Sequence, residues 1–559
     1  MSFNSDSHCG FTCYCQRRLG GDSFNEINIF TSSLSLPPYA REGNSARRLF
    51  LYTMIKANTG LDIEKILAPG GPVSDSLSYF ELRPQQVRMA GAVQRALADG
   101  KHLAVEAGTG VGKSFAYLIP VIDMVHRQGG KALISTFTIT LQEQLVHKDI
   151  PFLYDCMTQE FTAVLAKGRS NYLCKRRLDF AIRKQAQLFD EFSSELDMIA
   201  EWARKTKDGS LSDISFLPKS RLWDKVKSEH GNCRGRKCPH FSDCFYLRAR
   251  RSLESADIIV ANHALLFSDL VLREQGVSIL PDYKYVIIDE AHNIEHVAEE
   301  HFGIDISNHK IRFLLDGLYN PRTHKGLLTY MNADAAINIV SRTFKAVGVF
   351  FSRVRNWYEG IKGETNGRCY KNFIDDTISG HLKNLRTELA KLAKKAESVD
   401  EKFEIFRFND RCQALIQDLD DFLLQKRADY VYWVEAGSDK RTTVRLKSAA
   451  VNVGPDVKRC LFDKYDSVVL TSATLSTGAA DEKSGFDFFA GRIGLNDFNA
   501  LKLGSPFDYE KQVTVYIEKD MPNPNESSFP DAAAEKLKKY LLKSKGRAFV
   551  LFTSYAMLE

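Results

Sequence analysis

The sequence lacks any run near the roughly 18 apolar residues that a bilayer-spanning helix needs, so a soluble protein is expected. An apolar leader core is also missing. Ser2 to Cys15 is polar where a secretory signal would place its hydrophobic segment, and no export is expected. Neither an internal repeat nor a low-complexity tract is found, which sets aside solenoid and fibrous architectures. Excess charge of one sign is scarce, since Lys+Arg 76 against Asp+Glu 70 leaves +6. That balance is compatible with a polyanionic partner without establishing one, because distribution matters more than the total.

What is present begins with 559 residues, enough for two to four domains. Without export, the eleven cysteines belong in a reducing compartment, where metal binding is favoured over a disulfide framework. Residues 1 to about 58 are rich in Ser, Asn and Gly, crowd Cys9, Cys13 and Cys15 together, and read as an atypical, disordered segment. From Leu61 the pattern becomes strand–helix alternation. Leu103-Ala104-Val105, Ala132-Leu133-Ile134, Ile258-Ile259-Val260 and Tyr285-Val286-Ile287-Ile288 are short continuous apolar runs, as in a parallel sheet buried on both faces. Such a sheet holds ligands at the carboxyl ends of its strands.

Two segments interrupt this alternation. Residues 166–252 are rich in Cys, Arg and Lys. Residues 306–435 read as mostly helical, with Leu382, Leu385, Leu389 and Leu392 forming one packing stripe. The strand pattern returns at Ser467-Val468-Val469-Leu470 and again at Ala548–Phe552. With Glu559 only a few residues past that last run, the chain is expected to hold one sheet domain and the beginning of a second.

Ala107-Gly108-Thr109-Gly110-Val111-Gly112-Lys113-Ser114 lies between a strand through Glu106 and a helix opening at Phe115. Its glycines let backbone N–H groups face a phosphate, and the helix N-terminus adds positive dipole. Lys113 is placed to reach the outer phosphates of ATP and Ser114 to ligate Mg²⁺. Ala107 departs from the usual Gly at the first position. The strand Val286-Ile287-Ile288 ends on Asp289-Glu290-Ala291-His292. Asp289 is assigned to Mg²⁺ and Glu290 to general base for the attacking water; two acids capping the following helix are the structural alternative.

Cys174 is followed, after a long gap, by Cys233, Cys238 and Cys244 in a C-x4-C-x5-C run. Four thiolates so grouped suit a [4Fe–4S] cluster or a structural Zn²⁺; spacing alone favours zinc slightly, although zinc sites more often show two short C-x2-C pairs. Between residues 231 and 251, Arg234, Arg236, Lys237, Arg248, Arg250 and Arg251 stand against the single acid Asp243. Tyr172, Phe241, Phe245 and Tyr246 lie among the cysteines. Basic residues interleaved with aromatics suit a groove that tracks a nucleic-acid backbone and stacks its bases, or aromatics that simply pack around the metal site.

In combination these features resemble superfamily 2 helicases, and within them the iron–sulfur helicases related to XPD and the bacterial DinG family. Further matches carry the resemblance: Arg83-Pro84-Gln85-Gln86, Thr136 with Leu141–Leu145, Ala261-Asn262-His263-Ala264-Leu265-Leu266, Thr471-Ser472-Ala473-Thr474-Leu475, Ser505-Pro506-Phe507-Asp508-Tyr509 and Phe552–Tyr555. So does the position of the cysteines between the phosphate loop and the Asp289 strand. The likeness runs from about Leu61 to Glu559.

The resemblance implies an α/β fold, a RecA-like parallel-sheet motor domain with two insertions and the start of a second such domain. The first motor domain is expected at 59–165, 253–305 and 436–480, the iron–sulfur insertion at 166–252, a helical arch at 306–435, and an incomplete second motor domain at 481–559. It implies a [4Fe–4S] cluster on Cys174, Cys233, Cys238 and Cys244. Gln86 is implied to read adenine, His292 to link Glu290 to Thr471–Thr474, and Leu141–Leu145 to touch the nucleic-acid backbone. His263 is either a satisfied structural side chain or a channel residue. The implied activity is a 5′-to-3′ ATP-dependent DNA helicase on single-stranded DNA and duplex junctions, in repair or replication, as a monomer in the bacterial cytoplasm. The second-domain arginine of such motors is not found before Glu559, so the chain is expected to bind Mg-ATP weakly, hold the cluster, hydrolyse little and unwind nothing. The alternatives are a translocase that does not unwind, or an inert cluster-bearing DNA-binding fragment.

Overall fold

Successive residues of the strand His102–Ala107 (β1) point into two different cores: Leu103 and Val105 into one, Ala104 into the other. The same division holds in Tyr285–Asp289 (β5), with Tyr285 and Ile287 on one side and Val286 and Ile288 on the other. A strand apolar on both faces is stable only where both faces are covered, which explains the continuous apolar runs. A computed structural model describes residues 60–184, 193–331, 333–437, 443–478 and 483–558. Residues 1–58, with Cys9, Cys13 and Cys15, lie outside the described residues.

The remaining strands are β2 (Ala132–Thr136), β3 (Ala163–Leu165), β4 (Ile258–Asn262), β6 (Ile304–Ser307), β7 (Tyr430–Ala436), β8 (Val444–Ala450), β9 (Val468–Ser472) and β10 (Phe498–Leu503). Seven of them form one parallel sheet in the order β10-β1-β9-β5-β2-β4-β3. This is the expected α/β parallel-sheet architecture. Helices α1 (Pro84–Asp99) and α2 (Lys113–Gln128) pack on one face. On the same face α3 (Ile139–Gln144) runs through a π-turn at Leu145–Asp149 into α4 (Ile150–Cys156).

Two segments leave the sheet. Between β3 and β4 the chain builds a small separate core around Leu173, Leu196, Leu222, Trp223 and Phe245. Between β5 and β9 it forms three long helices, Asp334–Thr365, Ser379–Lys395 and Val399–Leu423, the last opened by a Ser398/Glu401 capping box. Leu382, Leu385 and Leu389 are fully buried among these helices, as a packing stripe requires. The two segments are joined by buried charges. Arg177 Nε lies 2.8 Å from Glu404 Oε1, and Arg407 Nη2 lies 2.8 Å from Asp224 Oδ2.

The structure corrects three expectations. The second interruption, mostly helical as expected, extends past residue 435: β6, β8 and β7 form an antiparallel three-stranded sheet that shares the helical core, so 444–450 belongs with this segment rather than with the parallel sheet. Residues 498–503 do not open a second sheet, because β10 pairs in parallel with β1 and carries the first sheet past residue 480. Ala548–Phe552 is not a strand. Phe549 and Leu551 are almost wholly exposed, and an apolar run becomes a strand only where a neighbour completes its hydrogen-bond ladder.

Candidate nucleotide site and cysteine cluster

The turn after β1 closes through two glycines with positive φ, Gly110 (+85°) and Gly112 (+83°), a conformation that penalises any side chain. Gly112 also has no room for a Cβ, which would meet Gln86 Nε2 at 2.1 Å. That amide donates to Gly112 O at 2.9 Å, so Gln86 braces the phosphate loop directly. At Gly110 a Cβ would meet the Phe507 ring at 2.4 Å. Gln85 Nε2 donates to Ser505 O at 3.4 Å. Ser505, Pro506 and Phe507 therefore lie against the loop, a role their sequence alone does not announce.

Lys113 opens α2 and reaches across to the end of β5, its Nζ 3.5 Å from Glu290 Oε1. Glu290 holds a left-handed backbone (φ 56°), a strained conformation for a non-glycine residue that often marks a functional position. Asp289 is buried, and burial pushes its carboxyl up to about 6, Lys113 pulling it down and Glu290 adding to the rise. Tyr117 OH donates to Asp289 Oδ2 at 3.3 Å from one turn along α2. The Ser114 hydroxyl at the start of α2 and the Asp289 carboxylate at the end of β5 are oxygen donors of the kind Mg²⁺ takes.

The acids connect to β9 through an imidazole. His292 Nδ1 lies 2.6 Å from Ser472 Oγ and 3.4 Å from Glu290 Oε2. Beyond Ser472, Leu475 N and Ser476 N donate to Glu106 Oε2 at 2.7 and 2.6 Å, fastening the following loop to the end of β1. His263 Nδ1 pairs with Ser135 Oγ at 2.7 Å, and burial lowers its pKa to about 4. The satisfied structural reading of His263 thus accounts for one ring nitrogen; Nε2 is buried without a hydrogen-bond partner, as are Thr136 Oγ1 and Thr471 Oγ1 at the same sheet edge.

Cys174 and Cys244 each sit immediately before a helix, Lys175–Arg183 and Phe245–Ser255. Cys244 is the common neighbour, interacting electrostatically with Cys174, Cys233 and Cys238. A backbone N–H points at one of the sulfurs, Gly235 at Cys233 (3.5 Å). Burial pushes the Cys174 and Cys244 thiols up. Among the described residues no three His, Cys, Asp or Glu side chains stand close enough to hold a single ion. Four free thiols gathered around Cys244 have the thiolate chemistry that an iron–sulfur cluster or a zinc ion takes. Cys156, Cys369, Cys412 and Cys460 are buried elsewhere.

The aromatics nearby are largely taken. Tyr172 and Phe245 are buried, which removes them as stacking platforms for bases. Phe245 carries Lys175 Nζ 4.6 Å from its ring centre, Tyr246 carries the Arg169 guanidinium at 4.4 Å, and Phe241 carries that of Arg251 at 5.4 Å. Phe241 and Tyr246 are half-buried, each with a guanidinium in cation–π contact.

A family model described as DEAD/DEAH box helicase matches residues 87–214, and one described as DEAD_2 matches residues 229–311. The ATP-dependent DNA helicase YoaA of Escherichia coli is 31% identical over 502 residues, covering 88% of this chain and 74% of that protein. The chain belongs to the DinG/XPD-type ATP-dependent DNA helicases. Other relatives in this helicase family are YoaA of Haemophilus influenzae, 29% identical over 89% of this chain and 75% of its own length, and the ATP-dependent DNA helicase DinG of Photobacterium profundum, 27% identical over 86% and 75%. A solved structure titled XPD helicase aligns loosely, with a TM-score of 0.44 at 15% identity over 86% of this chain and 74% of that one. As a helicase of this family the chain couples ATP to work on DNA. Among the described residues no helix is long and apolar enough to cross a membrane.

One residue of this site carries no sequence motif: Tyr117, one turn past Lys113, whose hydroxyl is on Asp289.

Proposed function

We propose that Lys113, Ser114, Asp289 and Glu290 form the hydrolytic centre of a 5′-to-3′ helicase that translocates on single-stranded DNA and opens duplex junctions in DNA repair or replication in the bacterial cytoplasm. Lys113 neutralises the outer phosphates. Ser114 and Asp289 hold Mg²⁺, which when bound draws charge from the transferring phosphoryl group. Glu290 takes the proton of the attacking water. Gln86, braced on Gly112, reads the adenine. His292 carries the state of Glu290 to Ser472 and so to the loop fastened on Glu106. Cys174, Cys233, Cys238 and Cys244 hold a [4Fe–4S] cluster, which when bound cross-links four loop positions.

The observation that carries the reading is the Lys113–Glu290 pair, 3.5 Å apart at the carboxyl edge of the sheet, beside the Tyr117–Asp289 bond. Polarity rests on the family likeness. The test is strand displacement from duplexes bearing either a 5′ or a 3′ single-stranded tail. ATP-dependent displacement confined to the 5′-tailed duplex is expected, whereas no displacement and no DNA-stimulated hydrolysis would bear out the expectation of an inert DNA-binding fragment. Displacement from the 3′-tailed duplex overturns the polarity, and ATP-driven movement without displacement favours the non-unwinding translocase.

A further inference from the structure

Just past β10 the chain turns back against the phosphate loop. A Cβ at Gly110 would meet the Phe507 ring at 2.4 Å and Pro506 Cγ at 3.3 Å. Phe507 N donates to Ser505 Oγ at 3.1 Å, and that hydroxyl donates to Tyr509 OH at 3.0 Å, so the turn is held from within. Phe507 nevertheless stays 43% exposed and Tyr509 54%. The two rings meet at a tilt, centres 6.2 Å apart and planes 49° apart, rather than face to face.

Gln85 lies against the same turn. Its Nε2 donates to Ser505 O at 3.4 Å, which orients the amide, because a flipped amide would set oxygen against oxygen. Its Oε1 is then buried without a hydrogen-bond partner. A buried acceptor left unpaired is costly, and each one in a folded protein calls for a donor. Gln86, next in the chain, has its own Nε2 committed to Gly112 O at 2.9 Å. A half-exposed ring and an unpaired amide oxygen thus stand together beside the phosphate loop.

We propose that Phe507 and Gln85 complete the base subsite of the nucleotide site: Phe507 stacks on the purine of ATP, and Gln85 Oε1 accepts from its exocyclic amino group. Stacking tolerates any base, since every base has a π-face. The amide oxygen discriminates, because adenine presents an amino donor where guanine presents a carbonyl acceptor. Adenine gives Gln85 Oε1 its missing donor, and guanine sets oxygen against oxygen. Phe507 therefore supplies affinity for the base and Gln85 selects it. Both roles presuppose the proposed nucleotide site.

The test is displacement of a ribose-labelled fluorescent ATP analogue from the full chain by Mg-ATP, Mg-GTP and Mg-tripolyphosphate, the last having phosphates and no base. Phe507→Ala is expected to weaken ATP and GTP alike by about tenfold and to leave tripolyphosphate within about twofold. Phe507→Leu, which keeps an apolar contact on Gly110 without a ring, should lose as much, and Phe507→Trp should match the parent. Gln85→Ala is expected to lower the preference for ATP over GTP about tenfold, with tripolyphosphate unchanged.

An equal loss of tripolyphosphate in Phe507→Ala means that the ring only braces the loop, and overturns the stacking role. ATP bound by Phe507→Leu as tightly as by the parent overturns it too. An unchanged preference for ATP over GTP in Gln85→Ala overturns the selection of the base. Lys113→Ala binding every competitor as tightly as the parent would instead overturn the nucleotide site itself, a different failure.

Discussion

His292 Nδ1 lies 2.6 Å from the Ser472 hydroxyl and 3.4 Å from Glu290 Oε2, so one imidazole touches both the proposed base and the end of β9. A residue placed this way reports the nucleotide side of the sheet to the loop after β9. Allosteric couplings are typically about 1–3 kcal/mol. His292→Ala should therefore lower the DNA stimulation of ATP hydrolysis about tenfold, with Mg-ATP affinity within about twofold of the parent. An unchanged stimulation ratio removes His292 from the coupling route.

The Asp289 carboxyl offers a pH test. Its pKa is raised from 3.8 to about 6, by burial first. A carboxyl raised on folding contributes stability that is complete below its unfolded value and is lost as pH rises through about 6. Mg²⁺ on the ionised form offsets that loss. The gain in melting temperature from Mg²⁺ plus ATP should be small near pH 5 and grow as pH rises through about 6. A gain that is flat across this interval contradicts the assignment of Asp289 to the metal.

Glu404 neutralises two buried guanidinium groups, those of Arg177 and Arg407. Burial raises its pKa, and the two arginines more than offset this, holding it at about 2. Removing one partner of a buried ion pair typically costs about 3–5 kcal/mol, because a charge is left uncompensated. Glu404→Gln should destabilise the protein by about 3 kcal/mol in urea unfolding. A loss below about 1 kcal/mol would mean the arginines find other partners.

For the cysteines the informative pair is Cys244 and Cys460. Cys244 is the hub of the four, and Cys460 is buried elsewhere. Protein purified without oxygen should contain about four iron atoms and absorb visible light. Cys244→Ser should lose both and Cys460→Ser neither. A colourless protein with stoichiometric zinc contradicts the iron assignment.

Much of the nucleotide site was legible in the sequence because phosphate chemistry constrains it locally. Gly110, Gly112, Lys113 and Ser114 are one turn and one helix start, and Asp289 and Glu290 end one strand. What was not legible depends on distant partners. The strand Phe498–Leu503 alternates in character, and only its pairing with His102–Ala107 places it in the first sheet. Val444–Ala450 gives no sign that it will pair with Ile304–Ser307. Ala548–Phe552 has every local mark of a strand and is not one, because local character cannot supply a neighbour. Tyr172 and Phe245 looked like stacking platforms in sequence, since composition cannot tell an exposed ring from a buried one.

The most direct test of the account is ATP hydrolysis with single-stranded DNA by the parent and by Glu290→Gln. Positioned general bases contribute about 10²–10⁴-fold. The account predicts that Glu290→Gln loses about a hundredfold or more in hydrolysis while binding Mg-ATP within about threefold of the parent. Hydrolysis by Glu290→Gln within about threefold of the parent would contradict it.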